Sequence, residues 1–191
     1  MYDIGVIGNG FVGSAIVSGF SLHTNVKIYD VDPSKSCDSF EEVVNDSKFL
    51  TERSAKLDFI NSPRIILGGE KELLDETEKL FRFRFPYIKI IKTDVTTAQF
   101  IKYMANCFFA TKVTFMNEML QAAMALGVDW DDAMHGFVSD GRIGNSHLDV
   151  PGHDGAVGFG GKCFPKDLNA FIALFEQIGV SPMIMKAVWE K

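Results

Sequence analysis

The apolar positions of this chain fall into alternating strand-like and helix-like groups over its first half, and almost wholly helical groups over its second. Residues 4–7 form a short β-branched run, and Ala15, Ile16 and Phe20 follow at helical spacing after a glycine turn. A second strand-like run covers residues 26–29, and residues 40–44 have the pattern of a short amphipathic helix. Two further strand-like runs, residues 64–68 and 88–92, bracket a helical pattern over residues 71–85 that Pro86 stops. From Thr96 the pattern is helical without a break to Gly127, a rod of roughly 45 Å at about 1.5 Å per residue. Thr96 and Gln99 have the spacing of a capping box. Asp129 is placed to cap the next helix, with Asp131 and Asp132 in its first turn. The chain closes with a helix over residues 166–178, whose first turn Pro165 pre-sets, and the start of another after Pro182.

This order predicts an α/β fold: an abbreviated Rossmann-like parallel sheet in residues 1–93, followed by a helical domain with one long spine helix in residues 94–191. A complete doubly wound sheet needs at least two more strand and crossover units of about 25 residues each, and the interval between Asp30 and Arg64 has no room for them. The long helix, with Phe100, Tyr103, Met104, Phe108 and Phe115 along it, has the length of a spine or an oligomer interface.

Composition narrows the function classes. In 191 residues, 47% are hydrophobic and 23% charged, the balance of an ordinary globular protein. The net charge of −6 argues against nucleic acid as a partner, because phosphate binding needs concentrated lysine and arginine. No apolar run reaches membrane-spanning length, since Lys102, Lys112 and Glu118 interrupt the most hydrophobic segment. The chain opens directly into a strand pattern without a charged leader, and three scattered cysteines suit neither a disulfide framework nor a zinc site, so a cytoplasmic location is expected.

The first candidate chemistry is the turn between the first strand and the first helix, Gly8-Asn9-Gly10-Phe11-Val12-Gly13. Gly8 suits the tight turn, Gly10 the close approach of a pyrophosphate, and Gly13 the packing of helix on strand. The second strand ends in Asp30, 17 residues beyond Gly13, where an acid would bond a ribose 2′-hydroxyl and repel a 2′-phosphate. The cofactor expected is therefore NAD. Lys35 could approach the adenosine end, or be a solvated loop lysine.

The second is the stretch over residues 158–167, Gly-Phe-Gly-Gly-Lys-Cys-Phe-Pro-Lys-Asp. A helix starting near Pro165 leaves Cys163 just ahead of its N-terminus, where the helix charge, with Lys162 and Lys166, favours thiolate over thiol. That is how a nucleophile is built; a small buried hydrophobe is the commoner use of an unpaired cysteine, and both readings stand. Lys102 and Asn106, four apart on the long helix, share a face that could hold a developing oxyanion or be a solvated stripe. The acids near His135 are explained by their place at a helix start, so no metal is expected.

Taken together, these motifs resemble the NAD-dependent nucleotide-sugar dehydrogenases, the UDP-glucose 6-dehydrogenase and GDP-mannose 6-dehydrogenase family, in a shortened form closest to the UDP-glucose branch. The resemblance runs in family order from the glycine turn to Asp30 and Lys35, through Phe49-Leu50-Thr51-Glu52, residues 64–68 and Phe100-Ile101-Lys102-Tyr103 with Asn106, to Arg142-Ile143-Gly144 and residues 158–167. It implies oxidation of a sugar C6 alcohol to a carboxylate by two hydride transfers to NAD, with Cys163 forming first a thiohemiacetal and then a thioester. Lys102 and Asn106 would then stabilise the oxyanion, and Asp167 would orient or activate water. Phe49, Leu50, Arg142, Phe159 and Gly160 would line the nucleotide-sugar site, and Glu52 and Lys166 would lie near the nicotinamide. The long helix is similar to the family's dimer spine and implies a homodimer.

The chain also departs from the family pattern. Asp46-Ser47-Lys48 stands where the family reads Asn-Pro-Glu, so a lysine replaces the carboxylate expected to assist thioester hydrolysis. Five extra residues lie between Arg142 and Cys163, and the resemblance stops at Lys191, before the family's C-terminal domain. A non-catalytic remnant, serving as an NAD-binding or dimerisation module, is the rival reading.

Overall fold

The structure, a computed structural model, describes residues 3–7, 10–29, 34, 62–152, 155, 157–161 and 163–191. The short helix expected over residues 40–44 lies outside them.

β1 (Asp3–Ile7) leads into α1 (Phe11–Phe20) and the chain returns as β2 (Asn25–Tyr29), parallel to β1 with Asp3 opposite Asn25. β3 (Arg64–Gly68), α2 (Lys71–Arg84) and β4 (Lys89–Thr93) repeat the unit, with Arg64 opposite Lys89. Parallel neighbours require a crossover, and in each of these two βαβ units the helix supplies it. Among the described residues the parallel pairing consists of two two-stranded ladders, β1-β2 and β3-β4.

Among the described residues, side-chain packing brings the two ladders together. Val6 of β1, Ala15 and Phe20 of α1, Ile65 and Leu67 of β3, and Leu80, Phe81 and Phe85 from α2 and its end make one buried cluster. Phe20 meets Phe81 and Phe85 edge-on, with centroids 5.5 and 5.9 Å apart. Burying a ring of this size contributes about 1.5–3 kcal/mol, so Phe20 is a principal tie between the two βαβ units. Arg84 adds a polar tie, donating Nε to the Gly19 carbonyl at 2.9 Å. On the outer face of α2, Lys92 of β4 bridges Asp75 and Glu78, each at 2.7 Å.

The chain divides into two compact units, Met1–Lys102 and Tyr103–Lys191, and the division falls inside the longest helix, α3 (Val95–Leu126). The capping box expected at Thr96 is not formed. Asp94 caps α3 instead, accepting the Thr97 N–H at 2.9 Å and the Thr97 hydroxyl at 2.6 Å. A carboxylate is the stronger acceptor and favours the positive helix start, which puts the helix a turn-fraction earlier than the Thr96 pattern implied. α3 ends at Gly127, whose φ of +68° is the left-handed conformation that closes helices.

In the second unit, α3 is followed by α4 (Trp130–Val138), α5 (Phe164–Gln177) and α6 (Met183–Glu190). Asp129 caps α4 as expected, accepting the Asp132 N–H at 3.0 Å. One buried cluster joins α3, α5 and α6 through Cys107, Ala110, Leu168, Phe171 and Val188. A second gathers Met116, Leu148 and Val150, with Trp130, Met134 and Val138 of α4 against it. Among the described residues no helix is long and apolar enough to cross a membrane.

Candidate active site

The glycine turn delivers the chain from β1 into α1. Gly10 is the N-cap of α1, extended in backbone and without a side chain to bond the first-turn amides; α1 has no acid in that turn. A Cβ at Gly10 would meet nothing within 4 Å. Phe11 and Val12 open the helix and Gly13 is buried within it. The first turn of α1 thus starts without a side-chain cap and without an acid, and a helix start of that kind favours negative charge. Gly8, Asp30 and Lys35, the other residues expected to hold NAD, lie outside the described residues, as do Lys48, Phe49, Leu50 and Glu52.

The cysteine helix begins one residue earlier than the proline pattern implied. Cys163 is itself the N-cap of α5, in α-helical conformation, and Pro165 lies in the first turn, where its missing N–H costs no helical bond. Cys163 is exposed and a free thiol. Its carbonyl accepts the N–H of Asp167 at 2.9 Å, so the thiol-bearing residue and the acid are the two ends of one helical turn.

Asp167 is buried, 1% exposed, although it is an acid. The partners that make this tolerable come from two directions. Asn106 of α3 donates Nδ2 to Oδ2 of Asp167 at 2.6 Å, and the neighbouring Lys166 ammonium pairs with Oδ1. The helix start adds its partial positive charge. The same carboxylate holds the Lys166 pKa above the ordinary lysine value, chiefly through the hydrogen bond. Packing fixes the geometry from below: the Tyr103 ring lies over Phe171 at 5.3 Å and 21°, and Cys107 and Leu168 are buried beside them. Burial, and secondarily the Asp167 charge, pushes the Cys107 thiol up to about 11. Of these two free cysteines, one is buried and protonated and the other exposed.

The structure thus brings together Asn106, Lys166, Asp167 and Cys163. Asn106 has its amide turned onto Asp167, so it orients the carboxylate. Lys102 lies one turn ahead of Asn106 on α3. Arg142 is held elsewhere in the chain's turns: among the described residues its hydrogen bonds go to Asp140, at 2.9 Å from Nε and 2.6 Å from Nη2. Phe159 is half-buried against the α3–α5–α6 cluster, and Gly160 beside it has open space around it. The turn that allows this uses φ of +89° at Gly158 and +78° at Gly161.

Two residues that the sequence did not single out for the site shape its surroundings. Lys112 of α3 donates Nζ to the carbonyls of Gly144 and Ser146, at 2.8 and 2.6 Å, and so pins the loop after α4. His147, in that loop, stacks on Phe109 with centroids 4.0 Å apart. A lysine interrupting an apolar helix pattern was a visible signal; the histidine had none. Among the described residues no three His, Cys, Asp or Glu side chains are grouped as metal ligands would be.

Comparison with known proteins gives a consistent picture. The central-domain profile of the UDP-glucose/GDP-mannose dehydrogenase family matches residues 96–191. A UDP-glucose 6-dehydrogenase of Pseudomonas aeruginosa is 39% identical over 150 residues, covering 76% of this chain and 32% of its own. One from Bacillus subtilis is 36% identical over 148 residues, with 76% and 32% covered. Among solved structures, a UDP-glucose dehydrogenase from Pyrobaculum islandicum superposes with a TM-score of 0.68 at 26% identity, over 98% of this chain and 40% of that one. The chain spans about a third, 32%, of the length of these curated relatives.

Proposed function

This chain belongs to the UDP-glucose/GDP-mannose dehydrogenase family, and on that footing we propose that it takes part in NAD-dependent oxidation of the C6 alcohol of a nucleotide sugar, UDP-glucose to UDP-glucuronate. The observation that carries the reading is the turn in which an exposed Cys163 and a buried Asp167, held by Asn106 and Lys166, stand together at the start of α5. Residues 1–93 are assigned to NAD and residues 94–191 to the nucleophile and the dimer contact. Gly8, Gly10, Phe11, Val12 and Gly13 would hold the pyrophosphate, Asp30 and Lys35 the adenosine end, and Glu52 and Lys166 the nicotinamide side. The cofactor supplies the hydride acceptor for both oxidations.

Cys163 Sγ adds to the C6 aldehyde to give a thiohemiacetal, and loss of hydride leaves a thioester that water cleaves to carboxylate and free thiol. Lys102 is proposed to steady the oxyanion. Asn106 is proposed to assist it while aiming Asp167, and Asp167 to orient the attacking water. Phe49, Leu50, Arg142, Phe159 and Gly160 are proposed to line the sugar-nucleotide site. Free thiols at Cys107 and Cys163 fit a reducing compartment, and the cytoplasm is proposed. The test is NADH formation from UDP-glucose by the full chain: turnover that disappears with Cys163→Ala supports the reading, and no turnover by the unsubstituted protein ends it.

A second reading has an observation of its own. Met104, Phe108, Phe115 and Met119 expose large apolar side chains along one line of α3, the surface of a dimerisation module without catalysis. A thermal-shift titration separates the two: stabilisation by NAD but not by UDP-glucose favours the module, and stabilisation by both favours the dehydrogenase.

A further inference from the structure

We propose that His147 is a positioning residue for Cys163: its imidazole, stacked on Phe109 and against Phe164, ties the loop after α4 to the helix start that carries the thiol. The His147 and Phe109 rings are 4.0 Å apart and inclined by only 6°, and Phe164 closes on both at 5.5 and 6.4 Å. Phe164 is the first residue of α5 and the covalent neighbour of Cys163. Three rings from three parts of the chain therefore meet at the residue that adjoins Cys163.

The ring is held there by packing, not polarity. Nδ1 is buried and has no hydrogen-bond partner among the described residues. The backbone is in the left-handed region, φ +61°, which a non-glycine residue keeps only where its surroundings demand it. The same loop is fastened to α3 by Lys112 through the Gly144 and Ser146 carbonyls, one turn from Phe109. The loop carrying Arg142 and the helix start carrying Cys163 are thus registered against one segment of α3. The charges acting on His147 are Lys112 on α3 and Asp149 in its own loop, while α5 presents the Phe164 ring; burial first, then Lys112, keeps the imidazole below the ordinary histidine value, and Asp149 opposes them. Acid that charges the ring works against the burial that keeps it neutral.

This role rests on the reading of Cys163 as the nucleophile, and its test reads the thiol directly. The rate of Cys163 alkylation by iodoacetamide, followed by peptide mass spectrometry, is compared for the full unsubstituted chain, His147→Ala and His147→Phe, with far-ultraviolet circular dichroism reporting folding. Alanine should slow the reaction by roughly threefold or more and phenylalanine restore it to within about twofold, because the helix start that carries the thiol is held by a ring and not by an imidazole as such. The ratio of the unsubstituted rate to that of His147→Phe should be level at neutral pH and fall in acid, since both carry the same thiol and only one of the pair has a ring that charges. That ratio decides the matter even if the alanine variant does not fold. A folded alanine variant with an unchanged rate, or a ratio that stays flat to pH values well below the ordinary histidine range, overturns the role. NADH formation measured in parallel keeps the two ideas apart: the alkylation pattern without turnover leaves the positioning role and removes the dehydrogenase, and turnover with identical alkylation does the reverse.

Discussion

Asn106 donates its side-chain amide to Asp167 at 2.6 Å, joining α3 to the first turn of α5 across 61 residues of sequence. The acceptor is a carboxylate withdrawn from water, so the bond matters more than a surface bond of the same length. Asn106→Ala is expected to lower stability by about 2 kcal/mol in urea unfolding, the cost of a buried charged acceptor losing a donor. NADH formation should fall further than stability does, and Asn106→Asp, which sets two carboxylates against each other, should be worse on both measures.

Cys107 and Cys163 should behave oppositely. Iodoacetamide at neutral pH should label Cys163 in the native protein and leave Cys107 untouched until denaturant is added, as peptide mapping will show. The Cys107 thiol is raised from 9.0 to about 11, so its contribution to stability is fully present below the unfolded value and is lost as pH rises through the folded one. Stability measured across that alkaline window should therefore fall, by up to about 3 kcal/mol from this group, and Cys107→Ala should fall less steeply.

Gly68 ends β3 where α3 begins, and a Cβ there would meet the Ala98 Cβ at 2.6 Å and the Asp94 carbonyl at 3.1 Å. Neither neighbour is a flexible side-chain end, so Gly68→Ala should destabilise by about 1–3 kcal/mol through overpacking. Gly68→Ala with Ala98→Gly should recover most of the loss; no recovery would place the strain elsewhere.

Asp94 is held below its ordinary pKa chiefly by the Thr97 hydroxyl, then by the Thr97 N–H. Its capping contribution is present above the unfolded carboxylate value and is lost as pH falls through the lower folded one. Asp94→Ala should lower the melting temperature by a few degrees at neutral pH and show a weaker acid dependence than the unsubstituted chain, whereas Thr96→Ala should leave the midpoint nearly unchanged.

The exposed line on α3 should bury itself in a homodimer. Phe108, 60% exposed, is the most exposed aromatic on that line. Phe108→Glu should convert a dimer to a monomer in analytical ultracentrifugation at micromolar concentration, with helix content retained. A monomeric unsubstituted chain would remove the dimer.

Local order was legible in the residues because its causes are local. β-Branched runs marked β1 and β3, Pro86 marked the end of α2, and Asp129 marked the start of α4, each through a backbone preference acting over a few residues. At the start of α3 the Asp94 carboxylate takes the cap expected of Thr96, since its charge favours the helix start. At Cys163 the helix starts one residue earlier than the proline pattern implied, which makes the cysteine itself the cap.

The motif around Cys163 was likewise visible as a pattern of glycines, lysine, proline and acid, and with it the expectation of a nucleophile at a helix start. What only the tertiary structure decided is which side chains share that turn. Asn106 looked like a partner for Lys102 because four residues on a helix share a face; folding turned its amide onto Asp167, whose burial creates a demand for a donor that no spacing rule contains. His147 carried no signal at all, since a stack on Phe109 and Phe164 depends on bringing a loop, a long helix and a helix start to one point, and that is a property of packing in three dimensions.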